Sequence, residues 1–193
     1  MDAFEQVVAS LLERDGFWVR SSVKVDLTKE EKRSIGRASS PRWELDLVAY
    51  KGKTNELWIV ECKSYLDSGG VGISAFDGSN STFANRFKLF NEANLFETVH
   101  ERLCAQLVKS GACRAKPKVQ LVLAAGRIAT DNHRADLHAL FKRNGWLLWD
   151  EAELRRRLTL LSTESYDNAV ASVVSKLLLR QRGKRGATLE AEA

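Results

Sequence analysis

Asp46, Glu61 and Lys63 are the residues of this chain whose types and spacing suit chemistry on a phosphate. They stand in two short runs, Trp43-Glu44-Leu45-Asp46-Leu47-Val48-Ala49-Tyr50 and Leu57-Trp58-Ile59-Val60-Glu61-Cys62-Lys63, both rich in the residues of strands. Turn-forming residues between them, Lys51 to Asn55, complete a β-hairpin. With Tyr50 opposite Leu57, the antiparallel register sets Asp46 against Glu61 and Glu44 against Lys63. Alternation then puts Glu44, Asp46, Val48 and Tyr50 on one face of their strand, and Leu57, Ile59, Glu61 and Lys63 on one face of theirs. Directly opposed residues have Cβ atoms about 5 Å apart, and two carboxylates so placed repel each other unless something positive lies between them.

A hard divalent cation resolves that repulsion. Mg²⁺, with Mn²⁺ as a substitute, takes oxygen ligands and is held by one or two carboxylates, its waters and substrate phosphates. The Cys62 carbonyl, between Glu61 and Lys63, is a further oxygen ligand, and Glu5 can reach the metal through a water. Lys63 would position an attacking water or neutralise charge developing at the phosphorus. The competing account is plainer: Glu-x-Lys is common as an exposed cross-strand ion pair of little energetic weight.

The elements that must position these groups are legible as hydrophobic periodicity. Phe4, Val7, Val8, Leu11 and Leu12 predict a helix over residues 2–15, with Asp2 and Glu5 able to form a capping box. Residues 17–25 alternate as a strand. Asp26 to Arg42 reads as a long polar loop or strand extension, in which Lys29, Lys32, Arg33, Arg37 and Arg42 are candidate nucleic-acid contacts. A Gly- and Ser-rich loop is expected over 64–85, then a helix from about Arg86 to Ser110 with Gln106 bordering its stripe. Val119 to Ala125 is a buried strand, followed by Arg127, another candidate phosphate contact. A helix begins at Thr130 or Asp131, and Trp146 to Trp149 is a short strand. Glu151 to Leu161 and Ser165 to Gln181 are further helices. The order αβββαβαβ with extra C-terminal helices describes an α/β protein, a mixed sheet flanked by helices.

The 193 residues, 44% hydrophobic and 28% charged, suit one domain over 1–161, a C-terminal amphipathic helix over 162–182 and a disordered tail over 183–193. The apolar seam of that helix, Ala169, Val170, Val173, Val174, Leu177 and Leu178, must pack on the domain, on a partner protein or on a second copy in a homodimer. A net charge of +5 makes a polyanionic partner such as DNA reasonable. Three cysteines without CxxC spacing argue against a disulfide framework or a cysteine zinc site. With no secretory leader pattern and no run of eighteen apolar residues, the expected setting is cytoplasmic, away from membranes.

Glu5 on a first helix, Asp46 in a second strand and Glu61-Cys62-Lys63 in a third resemble the PD-(D/E)XK nuclease superfamily, in particular Mrr-type restriction endonucleases and Holliday-junction resolvases. The resemblance covers about residues 2–150, with Leu45 where the motif's name places proline. It implies a restriction-endonuclease-like core, a Mg²⁺-dependent DNA endonuclease activity, catalytic roles for Asp46, Glu61 and Lys63, and auxiliary metal binding by Glu5. Glu44 and Gln106 are auxiliary candidates; Gln106 matches part of a Gln-x-x-x-Tyr motif, with Ser110 at the tyrosine position. The alternatives on the same fold are a catalytically silent DNA-binding or targeting subunit and a branch-specific Holliday-junction resolvase.

Overall fold

The structure, a computed structural model, describes residues 2–39, 42–165 and 167–180. The tail expected over 183–193 lies outside the described residues. In chain order the elements are α1 (Ala3–Arg14), β1 (Trp18–Val25), α2 (Lys29–Ser34), β2 (Trp43–Lys51), β3 (Glu56–Lys63), a short 3-10 turn (Ile73–Ala75), α3 (Ser81–Ala84), α4 (Lys88–Asn91), α5 (Ala93–Lys109), β4 (Lys118–Ala125), α6 (Asp131–Asn144), β5 (Leu147–Trp149), α7 (Glu151–Thr163) and α8 (Val170–Leu179). The strands form one open mixed sheet in the order β1-β2-β3-β4-β5. The first three run antiparallel, and β4 and β5 continue parallel to β3.

Helices cover both faces because β4 is apolar and buried from Leu121 to Ala125 and must be covered on both. On one face Leu95, Val99 and Leu103 of α5, with Leu137 and Phe141 of α6, pack on Leu57, Ile59, Leu121 and Leu123. On the other, Val8, Leu11 and Leu12 of α1 and Leu154 of α7 pack on Leu47, Ala49, Val60 and Val122.

Three segments differ from the sequence expectation. The basic stretch after β1 is not simply a loop: Thr28 caps α2 with a capping box to Glu31, and Glu31 also accepts hydrogen bonds from Arg102 of α5, at 2.5 to 3.0 Å. The long helix begins at Ala93 rather than Arg86, preceded by the four-residue α3 and α4. Most different is α8, which buries Ala171, Ser172 and Ser175 and turns Leu177 and Leu178 outward, 78% and 76% exposed. Small side chains let α8 lie close to α7, and Lys176 caps the end of α7 through the carbonyls of Ser162 and Glu164. With so little buried at Leu177 and Leu178, changing both to Gln is expected to move stability by no more than about 0.5 kcal/mol in a thermal melt. A larger loss would mean that this face is covered.

Behind the sheet, Asp150 caps α7 by accepting from the Glu153 amide at 2.9 Å, and it is buried with Arg134 at 2.9 Å and His138 at 3.1 Å. Burial alone would raise its carboxyl. The Glu153 amide, His138 and Arg134 outweigh burial and hold it below the usual aspartate range. Arginine partners likewise hold down Glu31 and Glu92. A carboxyl depressed in the folded state stabilises above its unfolded pKa of about 4 and loses that contribution as pH falls through the folded value. Asp150→Asn keeps an acceptor for the cap but loses the charge. It is expected to lower stability by about 1–3 kcal/mol at neutral pH, and the gap to the native chain should narrow in melts as pH falls below about 4 and through the depressed folded-state value. Among the described residues no helix is long and apolar enough to cross a membrane.

Candidate active site

The hairpin has the expected register, Tyr50 pairing with Leu57 and Leu47 with Val60, and the ladder stops there, one pair short of Asp46 and Glu61. At that point β2 changes face. Leu45 belongs to the core under α5 and α6, whereas Leu47, two residues on, belongs to the core under α1 and α7. Strict alternation would put both on one side. The neighbouring strand breaks at the same level: Ser22 has a φ of 51°, and the pairing of β1 with β2 passes from Ser21 and Leu47 to Val23 and Leu45.

The consequence is local to Asp46. Its carboxylate takes the place of a ladder acceptor, receiving the Cys62 N–H at 2.8 Å. In an extended strand a residue's N–H and C=O point to the same side, so the Cys62 carbonyl also faces the gap left by the departing β2. On β3, Glu61 and Lys63 follow Leu57 and Ile59 on the α5 face; the Lys63 ammonium is hydrogen-bonded to Glu61 Oε1 and lies 5.9 Å from the Phe87 ring centre. Each side chain of this pair is about four-fifths buried.

The charges are unbalanced. Burial pushes the Glu61 carboxyl above its ordinary value; Lys63 opposes the rise, and the charges of Asp46 and Glu5 add to it. Burial works against the Lys63 ammonium, yet Glu61 and Asp46 outweigh it and keep the amine protonated above its usual range. Burial and then the same carboxylates push the Cys62 thiol far up, which makes it a packed neutral group rather than a nucleophile. Asp46 and Glu61 thus share a single ammonium, with the charge of Glu5 adding to theirs, an arrangement that favours one more positive charge.

Glu5 forms the capping box that its spacing from Asp2 implies, its carboxylate accepting the Asp2 N–H at 3.2 Å while Asp2 accepts the Glu5 N–H at 2.8 Å. Burial first, and then the charges of Asp46 and Asp2, raise its carboxyl, so it senses the site while serving the helix end. Glu44 departs from the expected pairing: the face change at Asp46 leaves it exposed and level with Lys24 of β1, not opposite Lys63. Gln106 spends its amide on β1, accepting from the Asp26 N–H at 2.7 Å and donating to the Lys24 carbonyl at 3.3 Å, so its role is to fasten α5 to the sheet edge.

The basic candidates divide. Arg37 is bound through two nitrogens to Glu92 at 2.9 Å, and Arg42 is paired with Asp26 at 2.6 Å, so both brace the arm after β1. Lys29 and Arg33 are exposed on α2 and Lys32 is half-buried there. Arg127 is exposed directly after Gly126, whose N–H donates to the Lys63 carbonyl at 2.9 Å, so it flanks the site. Sequence reasoning missed Arg86. It donates to Tyr65 Oη at 3.4 Å, and Tyr65 stands two residues after Lys63 in the chain. The only sequence hint was a lone arginine closing a Gly- and Ser-rich segment.

Among the described residues no three His, Cys, Asp or Glu side chains converge closely enough to enclose a metal ion. The donors at the end of the hairpin are the Asp46 and Glu61 carboxylates and the Cys62 carbonyl, all of them oxygens. They fit Mg²⁺, which needs one or two carboxylates and hard oxygens and keeps its own waters. Asp46, Glu61 and the Cys62 carbonyl supply that donor set, and the local excess of negative charge suits it. No family model matches the chain, and comparison with curated proteins and with solved structures gives no match.

Proposed function

We propose that the chain is a metal-dependent deoxyribonuclease with a restriction-endonuclease-like core, cutting phosphodiesters where β2 and β3 separate. The observation that carries this is the Asp46 carboxylate hydrogen-bonded to the Cys62 amide. It brings the first acid of the motif beside the Glu61–Lys63 pair, which a merely solvent-facing Glu-x-Lys would not require. Asp46, Glu61 and the Cys62 carbonyl would hold Mg²⁺ or Mn²⁺. When bound, the cation supplies charge stabilisation at the scissile phosphate and makes a water more acidic.

The chain's own groups do the rest. Glu61 fixes the Lys63 ammonium, which orients the water oxygen toward phosphorus and offsets the charge gathering on the phosphate oxygens. A new P–O bond forms from that water, whose proton passes to solvent, as the bond to the leaving sugar oxygen breaks and that oxygen takes up a proton from a solvent water. Arg127 and Arg86 would hold flanking phosphates, and the exposed Lys29 and Arg33 would add contacts to the strand's backbone, which position it without reading its sequence.

Purified chain incubated with plasmid, linear, single-stranded and branched DNA is expected to cut at least one of them in Mg²⁺ or Mn²⁺ and none in excess chelator. Failure to cut any of them in either metal would overturn the assignment.

A further inference from the structure

Beside Lys63 the chain forms a cavity of about 260 Å³ lined by Tyr65, Phe83, Phe87, Ser74, His133 and the backbone of Gly69, Gly70 and Gly72. It exists because the segment after β3 folds back on the segment after β4. Val71 and Ile128 bridge in parallel, with Val71 N–H on the Arg127 carbonyl at 2.9 Å and Ala129 N–H on the Val71 carbonyl at 3.0 Å. Gly70 permits the close approach: its φ is +79°, and a Cβ there would lie 2.8 Å from the Ala129 nitrogen. The cavity and the candidate site share a wall, since Phe87 lines the one and lies beneath the Lys63 ammonium in the other.

Its lining combines flat and polar surfaces. Phe83 is 45% exposed and Tyr65 is half-buried, so two rings are available at the rim while Phe87 is buried at the back. His133 Nδ1 accepts the Ile73 N–H at 3.4 Å, which leaves Nε2 as the protonated nitrogen, and both Nε2 and the Ser74 hydroxyl lie 3.7 Å from the Cβ position of Gly72. Arg86 stands at the mouth with its guanidinium 5.9 Å from the Phe83 ring centre and its other contact on Tyr65. The volume is below the roughly 300–1,000 Å³ of pockets for drug-sized ligands and suits one planar heterocycle.

We propose that this cavity receives a single unpaired nucleobase of the DNA substrate, next to the phosphate held at Lys63. The proposal rests on the nuclease reading of the neighbouring site. Phe83 and Tyr65 supply stacking faces, the side-chain-free glycines admit the ring edge, Ser74 and His133 meet its polar edge, and Arg86 holds the adjoining phosphate. A base in an intact duplex is paired and stacked and enters only at the cost of being extruded; a bulged, mismatched or single-stranded base enters readily. The substrate class is therefore DNA with an unpaired nucleotide at the cut. Stacking dominates over hydrogen bonding in such a lining, so the choice among the four bases should be weak.

The test compares a duplex carrying one bulged 2-aminopurine with the same duplex fully paired. Binding is read by 2-aminopurine emission in Asp46→Asn, and cutting by kcat/KM in the otherwise native chain. The expected result is an emission change on the bulged duplex alone and preferential cutting next to the bulge. Phe83→Ala, a truncation at the rim, should lower the bulged-to-paired ratio about tenfold, the order of one base–aromatic stack. Gly72→Leu should bring the ratio close to one, because a Cβ at Gly72 lies at ordinary contact distance, 3.7 Å, from both His133 Nε2 and Ser74 Oγ, and its φ of −113° suits any residue, so the larger side chain occupies the polar edge of the cavity without straining the backbone. Cutting with equal rates on both duplexes, or a ratio unmoved by both variants, overturns the cavity assignment and leaves the nuclease standing. An emission change without any cutting by the native chain does the reverse. Neither signal removes both.

Discussion

Asp46→Asn is expected to abolish metal-dependent cleavage while leaving the chain folded. The asparagine side-chain oxygen can still accept the Cys62 N–H, so the contact that tethers β2 to β3 survives. What disappears is one of the two carboxylate charges on which cation binding depends. Lys63→Ala acts on the other half of the site. It should reduce cutting by about 10²–10³-fold, the usual size of losing one preorganised charge-stabilising group. It also leaves Glu61 buried beside Asp46 and Glu5 without its ammonium partner, so its melting temperature should fall. Circular dichroism melts alongside cleavage rates separate the two variants: Asp46→Asn loses activity alone, Lys63→Ala loses activity and stability together. If Asp46→Asn cuts as fast as the native chain, the carboxylate pair is not the catalytic site.

Gly126→Ala has the largest expected structural effect. A Cβ at Gly126 would stand 2.2 Å from the Ser64 carbonyl oxygen and 3.1 Å from its carbon, both of them backbone, so no side-chain adjustment relieves the clash. The ends of β3 and β4 must part, breaking the hydrogen bond from Gly126 N–H to the Lys63 carbonyl. A cost of about 3 kcal/mol, at the upper end of overpacking effects, is expected in a denaturant titration. Because that hydrogen bond fixes the backbone of Lys63, cleavage should fall beyond the loss of folded protein. Gly126→Ala with native stability and native cutting would show that the strand ends are not held as described.

The sequence made the scaffold legible wherever one residue's surroundings follow from its near neighbours. The alternation in β3, the apolar run of β4 and the capping box of Asp2 and Glu5 are local patterns, and each forms as its spacing implies. The hairpin register was legible for the same reason. The face change at Asp46 was not, because it arises between two strands: Ser22 in β1 and Asp46 in β2 leave the regular pairing together, and neither residue announces this alone. Arg37 and Arg42 illustrate a second limit. A basic run looks free in sequence, but Glu92, fifty-five residues away, and Asp26 occupy those two arginines. In α8 the periodicity identified an apolar stripe without saying which stripe turns inward, and the small face won because Ala171, Ser172 and Ser175 permit closer approach to the helix beneath. Arg86 and the cavity beside Lys63 depend on two loops meeting across more than fifty residues, which no local pattern encodes.

The central claim is that Asp46 and Glu61 jointly hold one divalent cation, and a crystal soaked in Mn²⁺ tests it most directly through the metal's anomalous scattering. The expected result is a peak between the two carboxylates and within bonding distance of the Cys62 carbonyl, about 2.0–2.3 Å from each oxygen, and absent from Asp46→Asn crystals treated in the same way. Mn²⁺ bound elsewhere, or no peak at these carboxylates in crystals of a chain that cuts DNA in Mn²⁺, would contradict it.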